Sequence, residues 1–182
     1  MNRPALERKS SRRRELMAAA FGCFVQYGYA KTVFEDVARK AGVSRSLLYS
    51  YFKDKKDLFL SVVKDCLDDA RRRSDVVLGS RAPDREKLLQ VMEIWCVELY
   101  AMGADSPHGG ELLDEGTRAW EEVGVKYKEY LVRALARFVG GSEVSELIVL
   151  SVKGLQADRP SVLVLRRRIR LLAELGWQRR KT

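Results

Sequence analysis

Arg45, Ser46, Ser50 and Tyr51 crowd into one short stretch, where a buried helix would carry apolar side chains. They end the run Phe34 to Tyr51, FEDVARKAGVSRSLLYSY, in which Leu47, Leu48 and Tyr49 give the second half its only bulk. A helix with a few apolar anchors inward and donors and acceptors outward suits the major groove of duplex DNA. There an arginine such as Arg45 can take O6 and N7 of guanine through two parallel hydrogen bonds. Catalytic chemistry has no such foothold. His108 is the only histidine, which leaves a histidine-based triad or metal site without its parts. The sequence shows no nucleophile–base arrangement, glycine-rich phosphate loop or metal-ligand spacing. No enzyme, metal or cofactor is expected. Cys23, Cys66 and Cys96 are far apart and odd in number, so they fit neither a disulfide framework nor a zinc site. Each sits in a helical apolar pattern and reads as a buried structural thiol.

Helices must position those polar side chains. Ser44 is a good N-cap for a short helix from Arg45 to about Phe52. Before it, Thr32 and Glu35 have capping-box spacing for a helix that buries Phe34, Val37, Ala38 and Ala41 and stops at Gly42. Two short helices joined by a tight turn holding a glycine form a helix-turn-helix. A first helix, Arg12 to Tyr27, carries Leu16, Ala20, Cys23, Phe24 and Tyr27 on one face and stops at Gly28. Asp54 caps a fourth helix with Asp57 in its first turn. That helix carries Leu58, Phe59, Val62, Val63, Cys66 and Leu67 to about Arg73, and Ser74 to Pro83 reads as a connection.

Charge is concentrated on this unit. The chain has 182 residues and a formal net charge of +9. Residues 1–56 hold 13 lysines and arginines against 5 aspartates and glutamates, a net of +8; residues 57–182 hold 21 against 20, a net of +1. A basic segment on a near-neutral body is the footprint of a nucleic-acid binder, though a solvated surface or an anionic membrane partner would leave the same mark. Arg3, Arg8, Lys9, Arg12, Arg13 and Arg14 make a basic arm, placed at 1–11 ahead of the first helix. It either reaches a minor groove or phosphates, or forms a solubilising tail. No apolar run is long enough to span a membrane, no signal peptide is apparent, and a cytoplasmic protein is expected.

Beyond residue 83 the pattern stays helical. Asp84 to Met102 presents Leu88, Met92, Trp95 and Leu99, with Leu89, Cys96 and Tyr100 beside them. A loop holding Pro107 and His108 follows. Thr117 to Val139 reads as one long amphipathic helix stopped by Gly140 and Gly141. Ser142 to Gln156 and Ser161 to Leu175, the latter ended by Gly176, complete an all-α chain of about nine helices. The aromatic and methionine stripe of Met92, Trp95, Cys96, Tyr100, Trp120, Tyr127 and Tyr130 is ordinary core by its spacing; its alternative is the lining of a pocket for an apolar or aromatic ligand. Arg166, Arg167, Arg168 and Arg170 read as a solvated face.

From Arg13 to Leu60 the chain resembles, without gaps, the N-terminal domain of the TetR family of bacterial transcriptional regulators. The matching residues are Ala20, Phe24, Gly28-Tyr29, Thr32, Asp36-Val37-Ala38, Ala41-Gly42-Val43-Ser44, Leu48-Tyr49, Phe52, Lys55 and Leu58. The resemblance implies a three-helix DNA-binding domain over 1–56 and an effector-binding and dimerisation domain over 57–182. The helix at about 54–73 joins them. It implies a phosphate contact for Thr32, groove-facing positions for Ser44, Arg45, Ser46 and Tyr49, and backbone clamping for Tyr51 and Lys55. Ser44 is equally explained as a cap, and Tyr49 as a core aromatic. Leu47 departs from the family's polar or small residue, and either meets a thymine methyl or turns inward.

By resemblance the last two helices make a four-helix interface between two copies, with Leu147, Ile148, Val152, Leu155, Val162, Leu165, Ile169 and Leu172 as candidates. A dimer would read two half-sites of a palindrome. The resulting expectation is a ligand-responsive repressor that binds a palindromic operator as a homodimer and leaves it when a small effector binds. The competing expectation keeps the DNA-binding head and makes the C-terminal region a docking surface for another protein.

Overall fold

A computed structural model describes residues 3–179, with side chains from 8 to 178. Among them the chain is helical and has no strand. The helices are α1 (Arg3–Lys31), α2 (Phe34–Ala41), α3 (Arg45–Tyr51), α4 (Lys55–Gly79), α5 (Asp84–Met92), α6 (Leu99–Ala104), α7 (Gly109–Val123), α8 (Val125–Val139), α9 (Ser142–Gln156) and α10 (Val162–Arg179). A π-helical turn, Glu93–Glu98, joins α5 to α6. These three run on as one rod, so the described residues form nine rods.

Two apolar cores organise the molecule. The first gathers Leu16, Ala20, Cys23 and Phe24 of α1, Phe34 and Val37 of α2, Leu48 of α3, and Leu58, Phe59 and Val62 of α4. It also takes in Leu112 and Ala119 of α7, so the head's core continues into the larger part of the chain. The second core packs α4, the α5–α6 rod, α8, α9 and α10 around Leu88, Met92, Trp95, Tyr127, Phe138 and Leu165. Each large side chain that is fully buried contributes roughly 1.5–3 kcal/mol.

Local chemistry explains most helix ends. Gly42 closes α2 at φ 64, ψ 36, a left-handed conformation that a side chain disfavours. Ser44 accepts a hydrogen bond from Leu47 N–H at 3.2 Å, and Asp54 one from Asp57 N–H at 2.8 Å. Both caps stand as the sequence indicates.

Several expectations are corrected. The helix of the basic arm begins at Arg3, so from there to residue 11 the arm is an extension of α1; Met1, Asn2 and the Arg3 side chain lie outside what is described. Helical geometry breaks at Gly28 (φ 82, ψ 165), as the stop expected there requires. Tyr27, however, is exposed rather than core. The cap of α2 is Val33, not Thr32, and Asp36 rather than Glu35 reaches back to it, accepting from Val33 N–H at 3.4 Å. The supposed connection from Ser74 is helical to Gly79, because buried Ser74 takes a hydrogen bond from Trp95 Nε1–H at 2.8 Å.

The long helix expected from Thr117 is two: α7 starts earlier, at Gly109, and the rod breaks at Gly124. Gly176 does not end α10 but lies buried within it, against Ile148 and Val139. The π turn adds a residue to the helical period, which is how Ile94, Trp95, Cys96 and Val97 are all buried in succession.

Candidate nucleic-acid interface

The candidate reading surface is built on α3. Leu48 is fully buried and Phe52 nearly so, and together they anchor the helix to the head's core. The turn before it is fixed by Val43 N–H donating to Ala38 O at 3.0 Å. Ala38 is small where α2 meets α3. With Leu48 inward, Arg45, Ser46, Leu47, Tyr49 and Ser50 are exposed together, and Tyr51 is half-buried. A surface of donors, acceptors and one apolar side chain on a rigid helix is what base-edge recognition requires.

Each candidate has a definite environment. Arg45 donates from Nη2 to Tyr49 Oη at 3.1 Å and pairs through Nη1 with Glu35 of α2. Its guanidinium lies 5.4 Å from the centre of the Tyr49 ring. The Tyr49 hydroxyl and then the Glu35 charge hold Arg45 yet more firmly in its charged form. Tyr49 is 48% exposed, and its ring rests on Phe34 at 4.6 Å between centroids. It is thus both a partial anchor and a surface group. Ser50 Oγ donates to Leu47 O at 2.6 Å, so its hydroxyl hydrogen is taken by the helix itself. Leu47 is exposed at the edge of the surface and does not turn into the core.

Thr32 and Lys55 are placed differently from the rest. Thr32 is 1% exposed and its hydroxyl donates to Gly28 O at 2.6 Å, closing the end of α1. Lys55 Nζ donates to Tyr29 O at 3.0 Å and Ala30 O at 2.9 Å and sits 4.8 Å from the Tyr29 ring centre. Both side chains serve the junction of α1 and α2. In the arm, Arg12 pairs with Glu15, while Arg13 donates to Ser61 Oγ at 2.8 Å and lies over Phe52. Residue types alone did not single out Glu35 as part of the reading surface; it comes from the other helix of the motif, and only the crossing of α2 and α3 brings it to Arg45.

The aromatic stripe of the larger part is well packed. Met92, Trp95, Cys96, Tyr100 and Tyr127 are buried, with Trp120 and Tyr130 half-buried. Tyr127 donates to Asp68 Oδ1 at 2.6 Å, Tyr130 to Asp75 Oδ1 at 2.7 Å, and Tyr100 to Pro160 O at 2.7 Å. Burial pushes the Cys96 thiol up to about 12 and the Cys66 thiol up to about 11, which keeps both protonated and inert. A groove of about 390 Å³ opens beside this core, between α4 and the α5–π rod, lined by Arg73, Val76, Val77, Gln90, Glu93, Ile94 and Glu98. None of the stripe residues lines it. Among the described residues no group of three or more histidines, cysteines or carboxylates could hold a metal, and no helix is long and apolar enough to cross a membrane.

On α9 and α10 the eight apolar candidates divide. Ile148, Leu165 and Ile169 are buried within the subunit, Val152, Leu155, Val162 and Leu172 are half-buried, and Leu147 is 64% exposed. Leu150, Leu163, Leu171 and Leu175 join Leu147 on the outside.

The α2–turn–α3 unit and its outward polar face have the form of a helix-turn-helix. Residues 16–62 match the family described as bacterial regulatory proteins, tetR family. The HTH-type transcriptional regulator BetI of Agrobacterium fabrum is 32% identical over 91 residues, which are 50% of this chain and 44% of that protein. The chain thus spans less than half the length of this relative. Likeness of fold extends further. A transcriptional regulator from Cytophaga hutchinsonii superposes with a TM-score of 0.75 at 18% identity, covering 90% of this chain and 95% of that one. The transcriptional regulator FadR from Bacillus subtilis, solved in complex with stearoyl-CoA, does so with a TM-score of 0.60 at 18% identity, covering 90% and 98%.

Proposed function

We propose that this chain is a transcriptional regulator, a repressor that grips a palindromic operator as a homodimer and lets go when a small apolar or aromatic effector binds. The observation that carries it is the outward polar face of α3, with Arg45, Ser46 and Tyr49 exposed on a head that holds nearly all the chain's net charge. Dimerisation is supported by the five exposed leucines of α9 and α10, two helices packed on one another, since so many solvated leucines on neighbouring helices fit a surface that a partner covers. A symmetric cover by a second copy would space two reading helices for two half-sites.

An effector is supported by the groove beside α4, whose lining includes the apolar Val76, Val77 and Ile94, and by the stearoyl-CoA bound to the Bacillus FadR of similar fold. Helix α4 runs from the head's core to that groove, so a ligand that prefers one tilt of α4 would shift the population of DNA-competent dimers. A protein partner on the C-terminal region is the second reading, and the same leucines support it.

Selection of duplexes from a random library by the purified chain, at low and moderate salt, tests the proposal. Enrichment of a palindrome with two half-sites is expected. Binding that follows salt alone, with no consensus, would contradict it.

A further inference from the structure

Glu35 faces the reading helix from the first turn of α2, and its carboxylate pairs with the Arg45 guanidinium. The two side chains are 52% and 56% exposed, on the surface they share with Ser46 and Tyr49. A carboxylate there has the wrong sign for a phosphate backbone. The fold does not demand it. The cap of α2 is served by Asp36, which accepts from Val33 N–H and pairs with Arg39. Glu35 is left to act on Arg45.

A guanidinium presents its N–H donors in one plane, and those of Arg45 are engaged on two sides: Glu35 takes Nη1 and Tyr49 Oη takes Nη2 at 3.1 Å. The Tyr49 ring, itself resting on Phe34, fixes the head from below. A phosphate also offers acceptor oxygens, but its hold on a guanidinium is largely charge, which the Glu35 carboxylate already cancels, so the pair gains little there. A guanine edge offers two acceptors in the plane of the guanidinium and repays its release or sharing. We propose that Glu35 is a specificity-determining residue: its pairing withholds Arg45 from phosphates and yields it to a base edge with two in-plane acceptors. This rests on the reading of α3 as the base-reading helix of a DNA-binding regulator.

The test uses the full chain and the palindromic duplex it enriches from a random library. Variants of that duplex replace each guanine of the half-site in turn by adenine, with its paired cytosine replaced by thymine. Glu35→Gln is measured with Arg45 present and in the Arg45→Ala background. With Arg45 present, Glu35→Gln tightens binding to every duplex but gains most on the substituted ones. Discrimination at one guanine then falls about two- to fivefold. The salt dependence on random-sequence duplex steepens by about one phosphate contact. In the Arg45→Ala background, Glu35→Gln leaves discrimination unchanged. An equal gain on every duplex in both backgrounds overturns the inference and makes Glu35 a plain repulsive charge. If Arg45→Ala alone keeps full discrimination at every guanine, the base-reading role of Arg45 fails and this inference with it. If the library yields no enriched duplex, the regulator reading itself is overturned.

Discussion

Tyr127 of α8 donates its hydroxyl to Asp68 of α4 at 2.6 Å, and three residues on, Tyr130 repeats the contact with Asp75 at 2.7 Å. The two bonds lie one helical turn apart on α8 and two turns apart on α4, so they tie α4 to α8 along its length. Burial first, and then the Asp68 carboxylate, raise the Tyr127 phenol above its usual value.

Tyr127→Phe removes that bond while leaving the ring in the core. Stability is expected to fall by about 1–2 kcal/mol, read as a lower urea midpoint with an unchanged slope. The pH dependence has a definite sign. Below about pH 10 both folded and unfolded chains keep the phenol protonated, and the stabilisation is complete. Above it the unfolded chain releases the proton that the folded chain still holds, so stability drops as pH rises. The decline above pH 10 should be shallower in Tyr127→Phe; equal declines would show that the bond has no such role.

Lys55→Ala separates clamping from phosphate contact. Lys55 Nζ is committed to Tyr29 O and Ala30 O. Its loss should lower the thermal midpoint of the free protein by a few degrees, about the cost of one hydrogen-bonded charge. A normal midpoint with a salt slope flatter by about one unit would instead make Lys55 a phosphate ligand.

Leu163→Glu with Leu171→Glu places two charges on the outer face of α10, where both leucines are exposed. The pair should convert dimers to monomers in sedimentation and leave the helical signal intact. Leu165→Ala, by contrast, opens a cavity within the subunit and should cost about 2–5 kcal/mol of stability. A double variant that still sediments as a dimer would remove α10 from the interface.

Local chemistry made the head legible. Gly42, Ser44 and Asp54 act within a few residues of themselves, and each does in the structure what its type and spacing indicate. The α2 cap slipped by one residue, from Thr32 and Glu35 to Val33 and Asp36, and the larger failures depended on distant partners. Ser74 and Asp75 read as a connection because both are polar, yet Trp95 and Tyr130 hold them in α4. The π turn at Glu93–Glu98 shifts the period by one residue, which no repeat at three and four can reveal. On α10, Leu163 and Leu165 are two apolar residues two apart, and only the packing against the other helices decides that Leu165 goes in and Leu163 out. The Arg45–Glu35 pair needs the crossing of α2 and α3 and has no trace in either helix alone.

Base reading by α3, with Arg45 as its principal donor, shows in how far binding depends on sequence. An equilibrium titration of the enriched palindrome against a scrambled duplex of equal length, from 50 to 200 mM salt, measures this directly. Two parallel salt lines separated by about a thousandfold or more are expected for the native chain, with the gap reduced by about tenfold or more in Arg45→Ala. Coincident lines for the native chain, or a gap untouched by Arg45→Ala, would contradict base reading by α3.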